Sequence, residues 1–499
     1  MHFEELLMDS STLIKYKLFK KIMYLASPSY PIAQIASEMQ LNYQQTVIDL
    51  TEIDQELAQL DPEHQSILLR AGKINSQNLS CTLDDYRYHL LQSSVPFQFI
   101  LYFLNEDQPS IDDFCIRYNS SRSTVSRKIE SLKTYLKQFK LRFTYTEAGM
   151  AGDERLIRLA LFNITWLGVK GVTWPFPAMD EAIAEDLVDR FAIHFPLART
   201  YIGRHELKFL AAIFYLRLKK QNYVRYDKAY NFLMKDNSYY DMTKLDDWEY
   251  FDLNPRQKRQ EVSFIYFLSH IIPFYTIDDD PALLHTLKDF AQRPNPVYLL
   301  AQDYLAWAKE HFFQGYEEVL SQPTILGNLL NVGFGYYTIK HPFPSIPHIL
   351  GREQAPVRSL RELQEGSQDF LTEISGREDY RSFLTPETIP LIAKSFTEIL
   401  EPFFDWKKFA TKVNVGIALE HNYLLITNLQ RFLAETRFAT WETFNSAHLK
   451  DYDLVITSSL ILSRQFPEAN VFFWDHTGSE PQSIALLQRL ATLVREKNR

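Results

Sequence analysis

The sequence predicts a mainly α, multidomain protein that ends in a small α/β unit. Three observations carry this. From Ser11 to Phe404 apolar residues recur at helical spacing with few strand signals; two early stretches pair short helices across tight turns; and beyond Trp406 β-prone runs alternate with helical ones. At about one domain per 100 to 200 residues, the 499 residues form three or four compact units.

Composition narrows the class. With 46% apolar residues, 15 Gly and 23 Pro, the chain is neither disordered nor linker-rich. Its 53 Lys and Arg against 62 Asp and Glu give a net charge of -9, which argues against a uniformly cationic surface but leaves room for local patches. Two cysteines, Cys81 and Cys115, make no disulfide framework, and no cysteine–histidine cluster offers a zinc site, so a reducing cytoplasm is expected. Met1 to Ser10 is acidic where an export signal begins basic. The most apolar stretch, Val262 to Tyr275, is shorter than the roughly 20 residues of a membrane helix and contains His270 and Pro273, so it reads as a buried helix. No cofactor is expected.

The first candidate helix-turn-helix spans Pro31 to Leu57. Ile32, Ile35, Ala36 and Met39 make a short amphipathic helix, Leu41 marks the turn, and Tyr43, Val47, Leu50, Ile53 and Leu57 make the next stripe. Gln45, Asp49, Glu52 and Glu56 fall on the opposite face, and Ile22 to Leu69 holds seven Asp or Glu and no Lys or Arg. Phosphates are repelled by such a face, so this unit is open to two readings: a DNA reader using Gln44 and Gln45, or a packing and dimerising element. Lys15, Lys17, Lys20 and Lys21 on the preceding helix can supply backbone contacts.

The second unit has the opposite electrostatics. Ser110 caps a short helix carrying Ile111, Phe114 and Cys115, Asn119 and Ser120 turn the chain, and Ser121 caps a second helix. Val125, Ile129, Leu132 and Leu136 form its inner stripe, while Ser123, Ser126, Arg127 and Thr134 face outward with Arg122 in the first turn. Ser110 to Arg142 contains eight Lys or Arg and three Asp or Glu, a local +5. Arg122 and Arg127 suit guanine edges, Ser123, Thr124 and Ser126 base edges or phosphates, and Lys128 and Lys133, with Lys137 and Lys140, phosphates. Glu130 shares the outer face and can accept from cytosine. Leu141 to Thr146 alternates and runs into Glu147-Ala148-Gly149, a hairpin wing. The alternative is a solvated basic face.

Long helical patterns rich in Phe, Tyr and Leu then run from Leu161 to Phe404, read as bundles divided near Asp278-Asp279-Asp280-Pro281. Four prolines between His341 and Pro356 mark a long loop or bundle edge. In the last unit Val413 to Leu419, Phe438 to Phe444, Leu454 to Thr457 and Val471 to Trp474 are β-prone, and Asn422 to Thr436 and Pro481 to Glu496 helical, the alternation of a parallel sheet.

Two successive helix-turn-helix units, a wing closing on Gly152-Asp153-Glu154 with Arg155 and Arg158 behind it, and Trp174-Pro175-Phe176 resemble the Mga family of Gram-positive transcriptional regulators, which includes RofA-like and AtxA types. The resemblance runs in order along the whole chain. It implies a winged helix-turn-helix domain at 1–75, a second at 76–160, two helical domains similar to sugar-phosphotransferase regulation domains (PRD-like) at 161–280 and 281–404, and an EIIB-like α/β domain at 405–499. The function implied is a cytoplasmic DNA-binding regulator of promoters. It would act as a homodimer or higher oligomer through the EIIB-like domain, with a phosphotransferase-system phosphocarrier protein as a further partner and no membrane role.

The resemblance also marks His205 and His270 as phosphorylation candidates, although an isolated histidine on an apolar helical face commonly serves packing. A phosphohistidine would add a charge of about -2. The helix Thr324 to Tyr337, where relatives can carry histidines, has Asn328, Asn331 and Phe334 instead, and His311 and His341 beside it fit no motif. A working EIIB carries phosphate on a cysteine after its first strand; here Glu420-His421-Asn422 follows that strand and no cysteine lies beyond Cys115, which excludes cysteine phosphotransfer by this domain. Phe403, Phe404 and Trp406 stand at its entrance as expected interface residues. No catalytic pair is found, so an enzyme is not expected; the alternatives are a phosphocarrier and a helical scaffold that binds only protein.

Overall fold

A computed structural model describes residues 3–25, 27–144, 149–192, 195–228, 234, 250–271, 275–293, 295–346, 358–404, 412–419, 423–436, 439–459, 461–475 and 480–497. The chain divides into two compact units: residues 1–301, 326–353 and 378–388 in one, and 302–325, 354–377 and 389–499 in the other.

The first unit begins with helices α1 (Phe3–Leu7) and α2 (Ser10–Met23); the Asp9 side chain caps α2 by accepting from the Thr12 amide at 3.1 Å. Strand β1 (Ser29–Pro31), helices α3 (Ile32–Glu38) and α4 (Tyr43–Leu60), and strands β2 (Leu68–Leu69) and β3 (Lys73–Asn75) follow. The strands form an antiparallel sheet in the order β1-β3-β2, so this helix-turn-helix has a wing that its residue pattern did not announce. Ala71 and Gly72, at φ 62° and 66°, turn the wing. The α4 stripe is phased differently from the sequence reading. Thr46, Asp49, Leu50, Ile53 and Leu57 are buried, whereas Tyr43 is 47% exposed. Asp49 tolerates burial because Gln45 Nε2 donates to it at 2.9 Å.

Next come α5 (Leu83–Gln92), opened by a Thr82–Asp85 capping box, α6 (Val95–Asn105), α7 (Ile111–Arg117), α8 (Arg122–Lys128), α9 (Glu130–Lys137), and the antiparallel hairpin of β4 (Arg142–Thr144) and β5 (Gly149–Ala151). The single second helix read from the sequence is two segments: Ile129, at φ -89° and ψ 10°, breaks it. The inner stripe survives the break, with Val125, Ile129, Leu132 and Leu136 all buried.

Helix α10 (Glu154–Val169) is the spine of this unit. Every residue from Arg155 to Val169 is buried, the mark of a helix enclosed on all sides. Trp174 and Phe176 pack edge-to-face on Phe209, and Trp174 Nε1 donates to the Met179 carbonyl at 2.9 Å. Phe209 belongs to α12 (Tyr201–Lys219), which pairs with α11 (Glu181–Phe191). Helices α13 (Pro255–Leu268) and α14 (Pro281–Gln292) complete the unit, with the residues of α15 (Pro296–His311) and α16 (Pro323–Ile339) divided between the two units. The apolar stretch at 262 is the buried second half of α13, as expected; residues 272–274 lie outside the described ones. No helix among the described residues is long and apolar enough to cross a membrane.

A charged network threads α10, α12 and α13. Arg158, fully buried, donates to Glu261 at 2.6 Å, to Glu154 at 3.1 Å and to the Asn222 carbonyl at 2.8 Å, and its guanidinium lies about 5 Å from the ring centroids of both Phe214 and Phe264. Arg217 clamps the same Glu154 with two bonds of 2.8 and 2.7 Å. Glu261, with no exposed surface, also accepts from the Val224 amide at 2.9 Å.

In the second unit α17 (Arg358–Ile374) packs on α18 (Ile389–Leu400), and buried Tyr304 packs its ring at a tilt against Phe396 of α18 and hydrogen-bonds Ser367 of α17 at 2.9 Å. Strands β6 (Val413–Ala418), β7 (Ala439–Thr443), β8 (Leu454–Thr457) and β9 (Val471–Phe473) form a wholly parallel sheet in the order β7-β6-β8-β9, the expected α/β unit. Its core takes Val413, Val415, Leu454 and Ile456 from the sheet, with Leu429 and Leu433 of α19 (Tyr423–Glu435) and Leu486 and Leu490 of α21 (Glu480–Lys497); α20 (Ile461–Gln465) intervenes. Phe404 is a correction: it is 3% exposed and packs against Phe312 and Phe313, so it presents no surface to a partner. Trp406, Phe438 and Glu420-His421-Asn422 fall outside the described residues, as do 347–357 of the proline-rich loop.

Candidate nucleic-acid interface

The second helix-turn-helix is built by its caps. Ser110 Oγ accepts from the Asp112 amide at 3.2 Å and Ser121 Oγ from the Thr124 amide at 3.1 Å, each satisfying a first-turn donor. Between them Asn119 takes a left-handed φ of 45°, and the Ser120 amide returns to the Cys115 carbonyl at 2.9 Å, closing α7. Tyr102 fixes the entry: its hydroxyl donates to the Ser110 carbonyl and accepts from the Ser110 amide, both at 3.1 Å. Below the turn Phe99, Phe114 and Phe143 meet edge-to-face, which docks the wing on the two helices.

At the end of the wing Gly152 has φ 145°, and a Cβ there would come within 2.4 Å of Leu141 Cδ2 and 3.2 Å of the Lys140 carbonyl oxygen. A glycine is required at this close approach. The wing tip, Tyr145 to Ala148, lies outside the described residues.

The outward side chains differ in readiness. Arg127 is exposed and has no ion pair among the described residues. Arg122, though 66% exposed, grips Asp112 through both carboxylate oxygens, with Nε to Oδ1 at 2.6 Å, and this holds the Asp112 carboxyl below its usual range. Ser123 is exposed; its hydroxyl, like that of half-buried Thr124, lies 2.9 Å from the Ser121 hydroxyl. Lys128 is exposed and its charge helps to lower the Asp9 carboxyl, after the bonds Asp9 makes to Thr12. Lys133 is turned along the surface to Glu130 at 2.6 Å and Ser126 at 3.2 Å.

Three of the eight cations in this stretch are thus held by carboxylates: Arg117 by Glu106, Arg122 by Asp112 and Lys133 by Glu130. Arg127, Lys128, Lys137, Lys140 and Arg142 carry no ion pair among the described residues, which leaves the local positive charge on the ends of α8 and α9 and on the wing.

In the first helix-turn-helix Asn42 caps α4 by accepting from the Gln45 amide at 3.2 Å, and Gln40, at φ 56°, closes α3. Gln44 and Gln45 are exposed, with Gln45 tied to Asp49. The acidity read from the sequence is partly neutralised: Lys15 pairs with Glu56 at 2.5 Å and Glu52 at 3.4 Å, and Lys21 with Glu38 at 2.6 Å. Lys15 and Lys21 therefore serve these carboxylates, while Lys17 and Lys20 remain exposed. Sequence reasoning missed Arg70 and Lys73, both exposed, flanking the wing turn one residue beyond the acidic stretch. Cations on either side of Ala71-Gly72 were the available signal.

The two candidate histidines differ sharply. His205 is half-buried in the second turn of α12, edge-on to the 79% exposed Tyr201. His270 is 2% exposed; its Nδ1 lies 2.9 Å from both Ser269 Oγ and the Tyr266 carbonyl, its ring stacks on Tyr266, and Phe334 closes the edge. A phosphoryl donor cannot reach it in this conformation. On α16, Asn328 exchanges both hydrogen bonds with the Tyr275 backbone, at 3.0 and 2.8 Å, so this asparagine stands in a structural role. The described residues hold no cluster of metal-ligating side chains.

No curated protein matches the chain. A family model does: residues 79–164 match the Mga helix-turn-helix domain, a segment that runs from the approach to α5 through the capped helices and the wing into α10. The resemblance read from the sequence is therefore borne out over the segment where the unpaired cations cluster: residues 79–164 are similar to the Mga helix-turn-helix domain, consistent with a DNA-binding regulator of the Mga type.

Proposed function

We propose that the protein regulates transcription by binding duplex promoter DNA chiefly through α8 and the β4–β5 wing. The observation that carries this reading is the coincidence of the family match with a capped helix-turn-helix whose Arg127, Lys128, Lys137, Lys140 and Arg142 have no ion pair among the described residues. Cations free of internal partners release counterions from the phosphates at no cost to the fold. Arg127 is placed for base edges, Arg122 after exchanging Asp112 for DNA, Ser123, Thr124 and Ser126 for base edges or phosphates, and Lys128 and Lys133 for phosphates. The first domain contributes through Gln44, Gln45 and its wing cations.

The test is a gel-shift series on duplex DNA at two salt concentrations. Arg127→Ala weakens binding by about 1–3 kcal/mol, where Gln45→Ala does less. Equal losses at the two positions refute the ranking, and DNA binding absent at low salt refutes the function.

The five-part layout belongs to the same reading: PRD-like domains at 161–280 and 281–404 and an EIIB-like domain at 405–499 that supports oligomerisation. Of the two histidines His205 is the accessible phosphate acceptor for a phosphocarrier protein. Phosphohistidine mapping of protein from cells grown on preferred sugars tests this, and absence of the modification at His205 sinks it.

A further inference from the structure

Outside the DNA-binding surface, one cavity of the first unit is lined mainly by cations. Its volume is about 420 Å³ and its walls are Arg225, Tyr226, Arg256, Arg259 and Gln260. That is within the range of about 300–1,000 Å³ typical of small-molecule sites. No carboxylate among the described residues lines it.

The two sides of the cavity come from separate parts of the chain. Arg256, Arg259 and Gln260 stand three and four residues apart on the first turns of α13, and so share one face at the positive end of the helix. Asn254 already caps that helix through the Arg256 and Gln257 amides, so the side chains provide the donors facing the cavity. Arg225 and Tyr226 come from the segment after α12. Tyr226 holds Arg259 in place: the guanidinium lies over its ring at 4.3 Å and Nη2 donates to its hydroxyl at 3.0 Å.

Arg225 and Arg256 are exposed and have no hydrogen bond or ion pair from their side chains among the described residues. Two acids that adjoin the cavity residues in the chain are committed elsewhere: Asp227 to Arg155 at 3.4 Å, and Glu261 to Arg158. Three guanidinium groups line the cavity with no ion pair to a carboxylate among the described residues, and guanidinium forks match phosphate oxygens in pairs.

We infer that this cavity is a binding site for a small phosphorylated anion carrying two or more negative charges. The chemistry is that of a phosphate monoester or diphosphate. The cavity has small-molecule size, whereas duplex phosphates lie along a convex backbone, so a soluble ligand fits it better than DNA. The site is independent of the DNA-binding reading. Its residues are chain neighbours of Asp227 and Glu261, which accept from Arg155 and Arg158 of α10, so occupancy is registered next to the helix that follows the wing.

Isothermal titration of the full chain with pyrophosphate, at constant ionic strength and with inorganic phosphate and chloride as comparison ligands, tests the assignment. The expected result is saturable binding of pyrophosphate to one site, weaker binding of phosphate and none of chloride. Arg225→Gln and Arg256→Gln each weaken pyrophosphate at least tenfold, and Lys450→Gln, an exposed cation of the other unit, leaves it unchanged. Should a glutamine variant unfold, Arg225→Lys keeps the charge and loses the fork, and weakens binding at least threefold. Absence of saturable binding, or binding by the Arg225 and Arg256 variants as tight as that of the wild type, overturns the inference. So does a loss of DNA affinity in these variants without added anion, which reassigns the surface to duplex DNA.

Discussion

Replacing Arg158 by Met removes the cation at the centre of the buried network and leaves Glu261, with no exposed surface, holding its charge against the Val224 amide alone. Breaking a buried pair in this way costs about 3–5 kcal/mol, because the surviving carboxylate has lost both water and partner. Glu154 is spared: Arg217 keeps its two bonds of 2.8 and 2.7 Å. The penalty therefore sits on Glu261. In Arg158→Met/Glu261→Gln the glutamine carbonyl still accepts from Val224 while no charge is stranded, so the double variant recovers at least about 1.5 kcal/mol relative to the sum of the single changes. Hydrogen exchange of the α10 amides, read by mass spectrometry on the full chain, measures the opening locally. A loss of about 3 kcal/mol appears as exchange more than 100-fold faster in Arg158→Met. Strict additivity in the double variant would falsify the view that the stranded charge is the cost.

Three further outcomes follow from local geometry. Asp112→Asn frees Arg122 and removes a negative charge from the DNA-facing side, so duplex affinity rises in a gel shift; an unchanged or weaker complex contradicts the assignment of Arg122 to DNA. Gly152→Ala forces a Cβ against Leu141 at a φ few other residues adopt, costing about 1–3 kcal/mol in urea unfolding, and a stability equal to wild type rejects the close approach. Burial holds the half-buried His341 imidazole below its ordinary value of 6.5, and its Nδ1 lies 2.7 Å from the Pro342 carbonyl. As pH falls below 6.5 the unfolded chain takes up a proton before the folded one does, so stability is lost through that window; His341→Gln flattens the slope, and an unaltered slope rejects the claim.

What the sequence could reveal depended on how local the determining physics was. Ser110, Asn119 and Ser121 announced the second helix-turn-helix because a cap and a left-handed turn are decided within four residues, and the C-terminal strands were legible as short β-branched and aromatic runs between helical ones, with only β8 buried throughout. The break at Ile129 was hidden, since an apolar residue in phase with its stripe gives no sign of non-helical backbone. Tyr43 was placed inward because it stands four residues before Val47, but capping by Asn42 and the inward Thr46 and Asp49 set a different phase. The first wing, in strands of two or three residues, left no mark in the residue pattern and was expected only from the family resemblance. Arg158 and Glu261 stand 103 residues apart, and nothing in one sequence pairs them. The same holds for Arg122 and Asp112, whose pairing altered the reading of the site more than any other contact.

The complete enclosure of α10 sets a lower bound on any excised DNA-binding fragment. The family match stops at residue 164, inside a helix whose residues are buried through Val169 and whose Arg158 is satisfied by Asn222 and Glu261. Cut at that limit, the piece would expose apolar surface on several sides and take Asp227 from Arg155 and Glu261 from Arg158, a recipe for aggregation rather than for a miniature reader. The smallest soluble version should extend at least through Leu268, so the unit of inheritance recognised by comparison is smaller than the unit of folding.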